Sequence, residues 1–320
     1  MSEILRIENA QKHFRKKELF RKEIQTVRAV DGVTLSIKKG EVFVLVGESG
    51  SGKSTIAKLI LKSIELDGGK IIFEGEEIKD DKQSLKKIKM NCQMIHQDPY
   101  DSINPRMKVG EIISEPLEIH KVSDKEGRKN RVLEVLREVK LEPASEVYQK
   151  FPHMLSGGQR QRVVLARALA IKPKIILADE PVSMLDVSIR AEMLEIMREL
   201  NKKYNITFFY ITHDITTAKY FGNTIGILYL GKIVEIGPIN EVLLRPRHPY
   251  TQALVDAISE PDPENIHKEK EIRILESTQH SEQGCSFQPR CPYAIDKCSI
   301  EPNLKNVDED HSVSCYVEFD

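Results

Sequence analysis

Residues 47–55 read Gly47-Glu48-Ser49-Gly50-Ser51-Gly52-Lys53-Ser54-Thr55, between the apolar run Val42 to Val46 and the helix-forming run Ile56 to Leu61. The order is strand, glycine loop, helix, and the spacing fits G-x-x-x-x-G-K-[ST]. In such a loop successive backbone N–H groups curl round an anionic phosphate, and the helix N-terminus adds its partial positive charge. The glycines let the backbone take positive φ and close on the ligand. Lys53 is placed to reach the β and γ phosphates of a nucleotide, and the Ser54 hydroxyl to ligate Mg²⁺. A plain Gly/Ser turn is the ordinary alternative. The complete pattern between a strand and a helix argues against it.

The 320 residues, 40% of them hydrophobic, suffice for two domains or one large domain with an appendage. No apolar run approaches the ~18 residues of a membrane helix, and the first residues lack the apolar core of a signal peptide, so a cytoplasmic location is expected. The 48 basic and 49 acidic side chains leave a net charge of −1, which gives no electrostatic reason to expect nucleic acid as a partner. A local basic run, Arg15, Lys16, Lys17, Arg21 and Lys22, reads as a solvated loop between strands or as a contact for lipid headgroups or a partner.

Outward from the loop, residues 3–8 and 33–37 read as strands, with Val30-Asp31-Gly32 as a turn entering the second. Phe14 lies in this section and suits either the core or stacking on an adenine ring. Lys70 to Phe73 and Cys92 to Ile95 read as strands flanking a charged helix at about 82–89. Gln97 follows the second strand, and its uncharged amide can ligate Mg²⁺ or orient water, or simply lie at the surface. From about 100 to 173 helical periodicity takes over, as in Val109 to Ile119 and Arg128 to Val139. This stretch closes with Leu155-Ser156-Gly157-Gly158-Gln159, where Ser156 caps a helix and the two glycines either bare its N–H groups as a second anion site or form an ordinary capping turn. An apolar strand at 174–178 ends in Asp179-Glu180. Asp179 faces the metal, and alternation along the strand sends Glu180 to the other side, where it can polarise a water. A helix at about 188–203 and a strand at 206–211 then lead to His213, past a strand end where doubly wound sheets hold ligands.

Taken together these residues resemble the nucleotide-binding subunit of an ATP-binding cassette (ABC) transporter over nearly the whole chain. Gly47 to Thr55 matches the Walker A loop, Gln97 the Q-loop, Leu155 to Gln159 the LSGGQ signature, Ile175 to Pro181 the Walker B strand, Ser183 to Asp186 the D-loop and His213 the switch histidine. Phe14 falls where the family carries its adenine-stacking aromatic. The resemblance implies an α/β ABC-class P-loop ATPase with an antiparallel β subdomain, a helical insertion and a small irregular C-terminal domain. It also implies two such subunits closing head to tail, with Ser156, Gly157, Gly158 and Gln159 of one covering ATP on Gly47 to Thr55 of the other. Catalysis would fall to Glu180, His213, Gln97 and Lys53, with Mg²⁺ on Ser54, Gln97 and Asp179.

A narrower likeness lies in His96 to Arg106 and in Arg247-His248-Pro249-Tyr250-Thr251-Gln252-Ala253-Leu254. These resemble the ATPase subunits of oligopeptide and dipeptide importers, with features leaning to the F-type of their two ATPases. The implied organisation is a nucleotide-binding domain over 1–245 and a transporter-specific extension over 246–320. The implied partners are transmembrane permease subunits at the cytoplasmic face and a second ATPase, either this chain again or a D-type subunit. Met184 stands where the family usually has Ala, which touches the dimer interface and not the chemistry. Other classes with the same motifs are a soluble ABC ATPase of DNA repair or translation, a transporter for nickel or sugar, and an iron–sulfur carrier.

After a polar stretch at 261–284, Cys285, Cys291, Cys298 and Cys315 follow with spacing C-x5-C-x6-C-x16-C. The C-x2-4-C pair usual for zinc is missing, while four cysteines are the standard ligand set of a [4Fe–4S] cluster. Some importer ATPases with this tail resemble [4Fe–4S] binders, so a structural cluster is expected, with Zn²⁺ or free thiols as alternatives. His311 is near enough in sequence to replace a ligand. Cys92, inside a strand, reads as a small buried hydrophobe.

Overall fold

The computed structural model describes residues 2–17, 24–257, 275 and 283–319. A four-stranded antiparallel sheet of order β2-β1-β4-β5 is built from β1 (Glu3–Lys17), β2 (Ile24–Lys38), β4 (Gly68–Phe73) and β5 (Glu76–Glu77). The first two strands are far longer than the sequence reading. Val30-Asp31-Gly32 is not a turn but part of β2, where the register against β1 shifts around Ala10 and Gln11. Gly32 takes φ 76° there, so it serves a bulge inside a continuous strand. Arg15, Lys16 and Lys17 accordingly lie in β1 and not in a loop. Arg21 and Lys22 fall outside the described residues.

The second sheet has eight strands, and β11 (Lys305–Asp308), β12 (His311–Val313) and β10 (Lys232–Pro238) form the antiparallel edge next to its parallel part. Its parallel heart is β9 (Thr224–Tyr229), β3 (Val42–Val46), β8 (Thr207–Thr212), β7 (Ile175–Asp179) and β6 (Cys92–Ile95). All five residues of β3 are buried because both faces are covered. Val42, Val44 and Val46 pack among the helices, while Phe43 and Leu45 pack toward the antiparallel sheet. The same alternation puts Phe208 and Tyr210 of β8 with the helices, and Phe209 and Ile211 with the sheet.

Helix α1 (Lys53–Ile60) follows β3, and α2 (Lys82–Asn91) precedes β6. The predicted helical stretch holds α3 (Pro99–Ser102), α4 (Val109–Ile119), α5 (Lys125–Glu138), α6 (Ala144–Gln149) and α7 (Gly157–Leu169). Val109, Ile112 and Ile113 of α4 join Val132 and Leu136 of α5 and Val163 of α7 in the helix-side core. Helices α8 (Val187–Tyr204) and α9 (Ile215–Phe221) flank β8.

Past β10 (Lys232–Pro238) come α10 (Ile239–Leu244), α11 (Pro249–Asp256), β11 (Lys305–Asp308) and β12 (His311–Val313). The extension is tied to the central sheet, since β12 pairs antiparallel with β10 through Glu235↔Val313 and Ile236↔Ser312. Glu235 is fully buried. Its carboxylate accepts the N–H groups of Arg247 at 2.8 Å and His248 at 2.9 Å, and Nε2 of His311 lies 2.8 Å away. One buried acid thus fastens both arms of the extension. His311 is committed to this contact rather than to the cysteines. Most of the polar stretch at 261–284 lies outside the described residues.

Candidate functional site

The phosphate loop leaves β3 at Gly47 and enters α1 at Lys53. Gly52 takes φ 107°, and the helix start carries no side-chain cap, which leaves its N–H groups for a ligand. Neither flanking glycine tolerates a side chain. A Cβ on Gly47 would lie 2.2 Å from the Leu228 carbonyl oxygen, and one on Gly52 would lie 2.0 Å from that of Ala29. The turn after β9 steadies the loop through Gly231 N–H to the Ser51 carbonyl at 2.8 Å. Ser51 Oγ is buried with no hydrogen-bond partner among the described residues, a polar atom suited to a bound oxyanion. Ser49 and Gly50 are exposed at the loop's tip, and Thr55 is half-buried at the start of α1.

Lys53 Nζ donates to the Gly47 carbonyl at 2.7 Å and to the Glu48 carbonyl at 2.8 Å. Burial pulls its pKa down, opposed by the nearby carboxylates of Glu180, Asp179 and Glu48. Asp179 has its pKa raised chiefly by burial, with the Ser54 hydrogen bond and Lys53 pulling the other way and Glu180 adding to the rise. The Ser54–Asp179 pairing supplies the hard oxygen donors that Mg²⁺ prefers, so these residues fit the ion.

Glu180 lies one residue past the end of β7 with φ 47°, so strand alternation does not decide where its side chain points. Its N–H donates to the Ile211 carbonyl at 2.9 Å, which holds the turn against β8. The carboxylate then meets both predicted coupling residues. Gln97 Nε2 donates to Oε2 at 3.2 Å, and His213 Nδ1 lies 3.0 Å from Oε1. Gln97, expected on the metal, is thereby paired with Glu180. Residues from three strand ends meet at one acid beside the loop's lysine.

Ser156 caps α7 as expected. Its Oγ accepts the Gln159 N–H at 3.3 Å, and the Gln159 side chain accepts the Ser156 N–H at 3.1 Å. Among the described residues no hydrogen bond or ion pair joins Ser156, Gly157, Gly158 or Gln159 to the phosphate loop. Phe14 is not a core residue, being 43% exposed, with Lys12 Nζ 5.7 Å from its ring centre. It pairs with Val27 on β2, the strand whose Ala29 touches Gly52.

The four C-terminal cysteines are drawn into one lobe. The Cys285 N–H donates to the Cys298 carbonyl at 2.9 Å, and each of Cys285, Cys291 and Cys315 has its thiol pKa raised mainly by burial, with neighbouring members of the set adding to the rise. The donor set fits a thiolate-bound group in kind. The side chains do not form a ligand shell, however, for no three His, Cys, Asp or Glu groups among the described residues converge to hold a metal ion. The expected four-cysteine metal site is therefore gathered but not closed. Cys92 is buried, with its thiol pushed up to about 12 by that burial.

Two contacts to the loop escaped sequence reasoning. Tyr250 of α11 and Arg290 of the cysteine lobe both reach Glu48. The His-Pro-Tyr stretch signals that something is specific about residues 247–254, but no spacing rule points it at the phosphate loop.

The ABC transporter family model matches residues 30–183, and the model for the oligopeptide/dipeptide transporter C-terminal region matches residues 234–298. A probable peptide ABC transporter ATP-binding protein of Sinorhizobium fredii is 38% identical over 98% of this chain and 90% of its own length. The oligopeptide transport ATP-binding protein AppF of Bacillus subtilis is 38% identical, covering 98% and 97%, and the di/tripeptide transport ATP-binding protein DppF of Pseudomonas aeruginosa 37%, covering 99% and 98%. Among solved structures, the dimeric ATP-binding cassette MJ0796 bound to ADP and Pi is 31% identical and aligns with a TM-score of 0.65 over 74% of this chain and 99% of its own. Likeness of this depth, running end to end through both regions, makes the chain an ABC-type ATPase belonging to the ATP-binding proteins of the oligopeptide/dipeptide transporter family.

Proposed function

We propose that the chain is the F-type ATPase subunit of a peptide importer, acting at the cytoplasmic face of transmembrane permease subunits and closing as a dimer on ATP. The observation that carries its ATPase chemistry is Glu180, held between Gln97 and His213 beside Lys53 and Asp179, while the importer part of the reading is supported by the match over residues 234–298 and by the peptide-transport relatives. Lys53 would bind the β and γ phosphates, and Ser54 and Asp179 would hold Mg²⁺, which supplies charge neutralisation at the phosphate oxygens. Glu180 would take the proton of the attacking water. Gln97 and His213 both touch that carboxylate, so a change at the γ-phosphate would be felt at the β6 and β8 ends. Ser156 to Gln159 of a second subunit would complete the site, consistent with the dimeric solved cassettes. The division into 1–245, with its helical subdomain at about 100–173, and 246–320 follows the same reading. In the test, Glu180→Gln should still bind Mg-ATP while turnover falls at least ~100-fold. Near-normal turnover would refute the assignment.

On the same reading Cys285, Cys291, Cys298 and Cys315 would hold a [4Fe–4S] cluster once their side chains converge, which they do not in this structure; what supports it is four thiols in one lobe whose buried Phe287 and Cys291 belong to the main core. Protein purified without oxygen should be brown, with a broad band near ~400 nm and about four irons and four sulfides per chain. A colourless protein with about one zinc would assign the thiols to a zinc staple instead.

A further inference from the structure

Glu48 follows the first glycine of the phosphate loop, and each of its polar groups is engaged. Its carbonyl accepts Lys53 Nζ at 2.8 Å and the Ser51 N–H at 3.2 Å, both contacts within the loop. Its other two groups are held from the C-terminal extension. The backbone N–H donates to the Tyr250 hydroxyl oxygen at 3.1 Å, and both carboxylate oxygens accept from Arg290 Nη1, at 3.1 and 3.2 Å.

These two holding groups are themselves fixed. Tyr250 is fully buried, its ring centre 4.7 Å from that of Tyr229 and 5.5 Å from that of Phe287, and Phe287 stands edge-on to Tyr229 at 5.2 Å. The Arg290 guanidinium lies 5.8 Å from the Tyr229 ring and 5.9 Å from the Phe287 ring. A wedge of three aromatic rings from β9, α11 and the cysteine lobe therefore aims a phenol and a guanidinium at one loop residue. A carboxylate beside a polyphosphate site repels the ligand, and a cation paired with it cancels that repulsion. The Tyr250 contact also fixes the direction of the loop's first amide, and with it the curvature of the nest that follows.

We infer that the C-terminal extension sets the affinity of the phosphate loop for ATP, with Arg290 and Tyr250 as positioning residues acting through Glu48. The inference rests on the reading that Gly47 to Thr55 bind ATP. It gives the extension a part in nucleotide binding that does not depend on what the cysteines hold. By linkage, a loop that binds ATP more tightly when the lobe is seated also seats the lobe more firmly when ATP is bound.

The experiment measures Mg-ATP affinity, KM and kcat on the full chain. Arg290→Ala should raise Kd and KM roughly 3- to 5-fold, in the range of a partly exposed ion pair, with kcat at saturating ATP within about 2-fold of wild type. Arg290→Lys, which keeps the charge, should fall between. Tyr250→Phe keeps the ring wedge, removes the acceptor and should weaken binding as well. The decisive comparison is Arg290→Ala in a Glu48→Ala parent, where it should change affinity little further. Unchanged affinity in Arg290→Ala and Tyr250→Phe, or an equal loss with and without Glu48, would overturn the inference. A wild-type chain that binds no ATP would instead remove the functional reading beneath it, and the inference with it.

Discussion

Glu180 explains why one amide substitution should separate binding from turnover. Gln keeps the size of the side chain and an oxygen for Gln97 Nε2, so the turn at φ 47° and its Ile211 contact survive. What it loses is the capacity to take a proton, and general-base catalysis accounts for about 10²–10⁴ in rate. Asp179 offers no substitute, because its carboxylate is already bonded to Ser54 and lies near Lys53. Most of this constellation was legible in the sequence, since each member sits at a fixed offset from a strand end or a glycine. The orientation of Glu180 was not, because period-two alternation stops applying once the backbone turns left-handed. Nor was the Glu48–Arg290 pair, whose members stand 242 positions apart. Local spacing carries no information about such a contact.

The start of α11 makes a prediction about acid. His248 caps the helix by accepting the Tyr250 N–H on Nδ1 at 3.0 Å, which requires a neutral ring. Full burial pulls its pKa from 6.5 to about 4, with the Glu235 carboxylate opposing and His311 across that carboxylate. The unfolded chain therefore binds this proton at higher pH than the folded one. The stability tied to His248 is whole above about 6.5 and declines as pH falls toward 4, by on the order of 3 kcal/mol. His248→Asn retains an acceptor for the cap and removes the titration. Melting curves between pH 7.5 and 4.5 should show a smaller loss for the variant than for wild type, and parallel losses would refute the assignment. Element order was largely legible from periodicity, as in Val109 to Ile119, which matches α4 residue for residue. The mistaken turn at Val30 to Gly32 has a plain cause, for a glycine such as Gly32 marks either a turn or a bulge, and only the partner strand decides between them.

Gly157 and Gly158 look alike in sequence but differ in what the molecule asks of them. A Cβ on Gly158 would lie 2.5 Å from Ile189 Cγ2, so a larger residue there would force α8 or that side chain to shift. At Gly157 a Cβ meets nothing within 4 Å among the described residues, and its φ is not left-handed. Nothing among the described residues accounts for glycine at that position, whereas a second subunit laying its ATP against the start of α7 would. Met184 and Val187, which follow the Glu180 turn, are 63% and 80% exposed, large apolar side chains left uncovered among the described residues. Gly157→Asp sets the two explanations against each other. No acidic residue stands in the first turn of α7, so an aspartate there complements the helix dipole and improves on glycine's helix propensity. The isolated subunit should melt no lower than wild type. The same carboxylate would face the partner's phosphates, and like charges there oppose closure. In a Glu180→Gln background, which holds ATP unhydrolysed, the dimer formed with Mg-ATP should be lost on adding Gly157→Asp, as read by light scattering after size exclusion. Turnover of the single variant should fall at least ~10-fold, as for a lost phosphate-stabilising donor. Dimerisation and turnover at wild-type levels would mean that this helix start does not cover a partner's nucleotide.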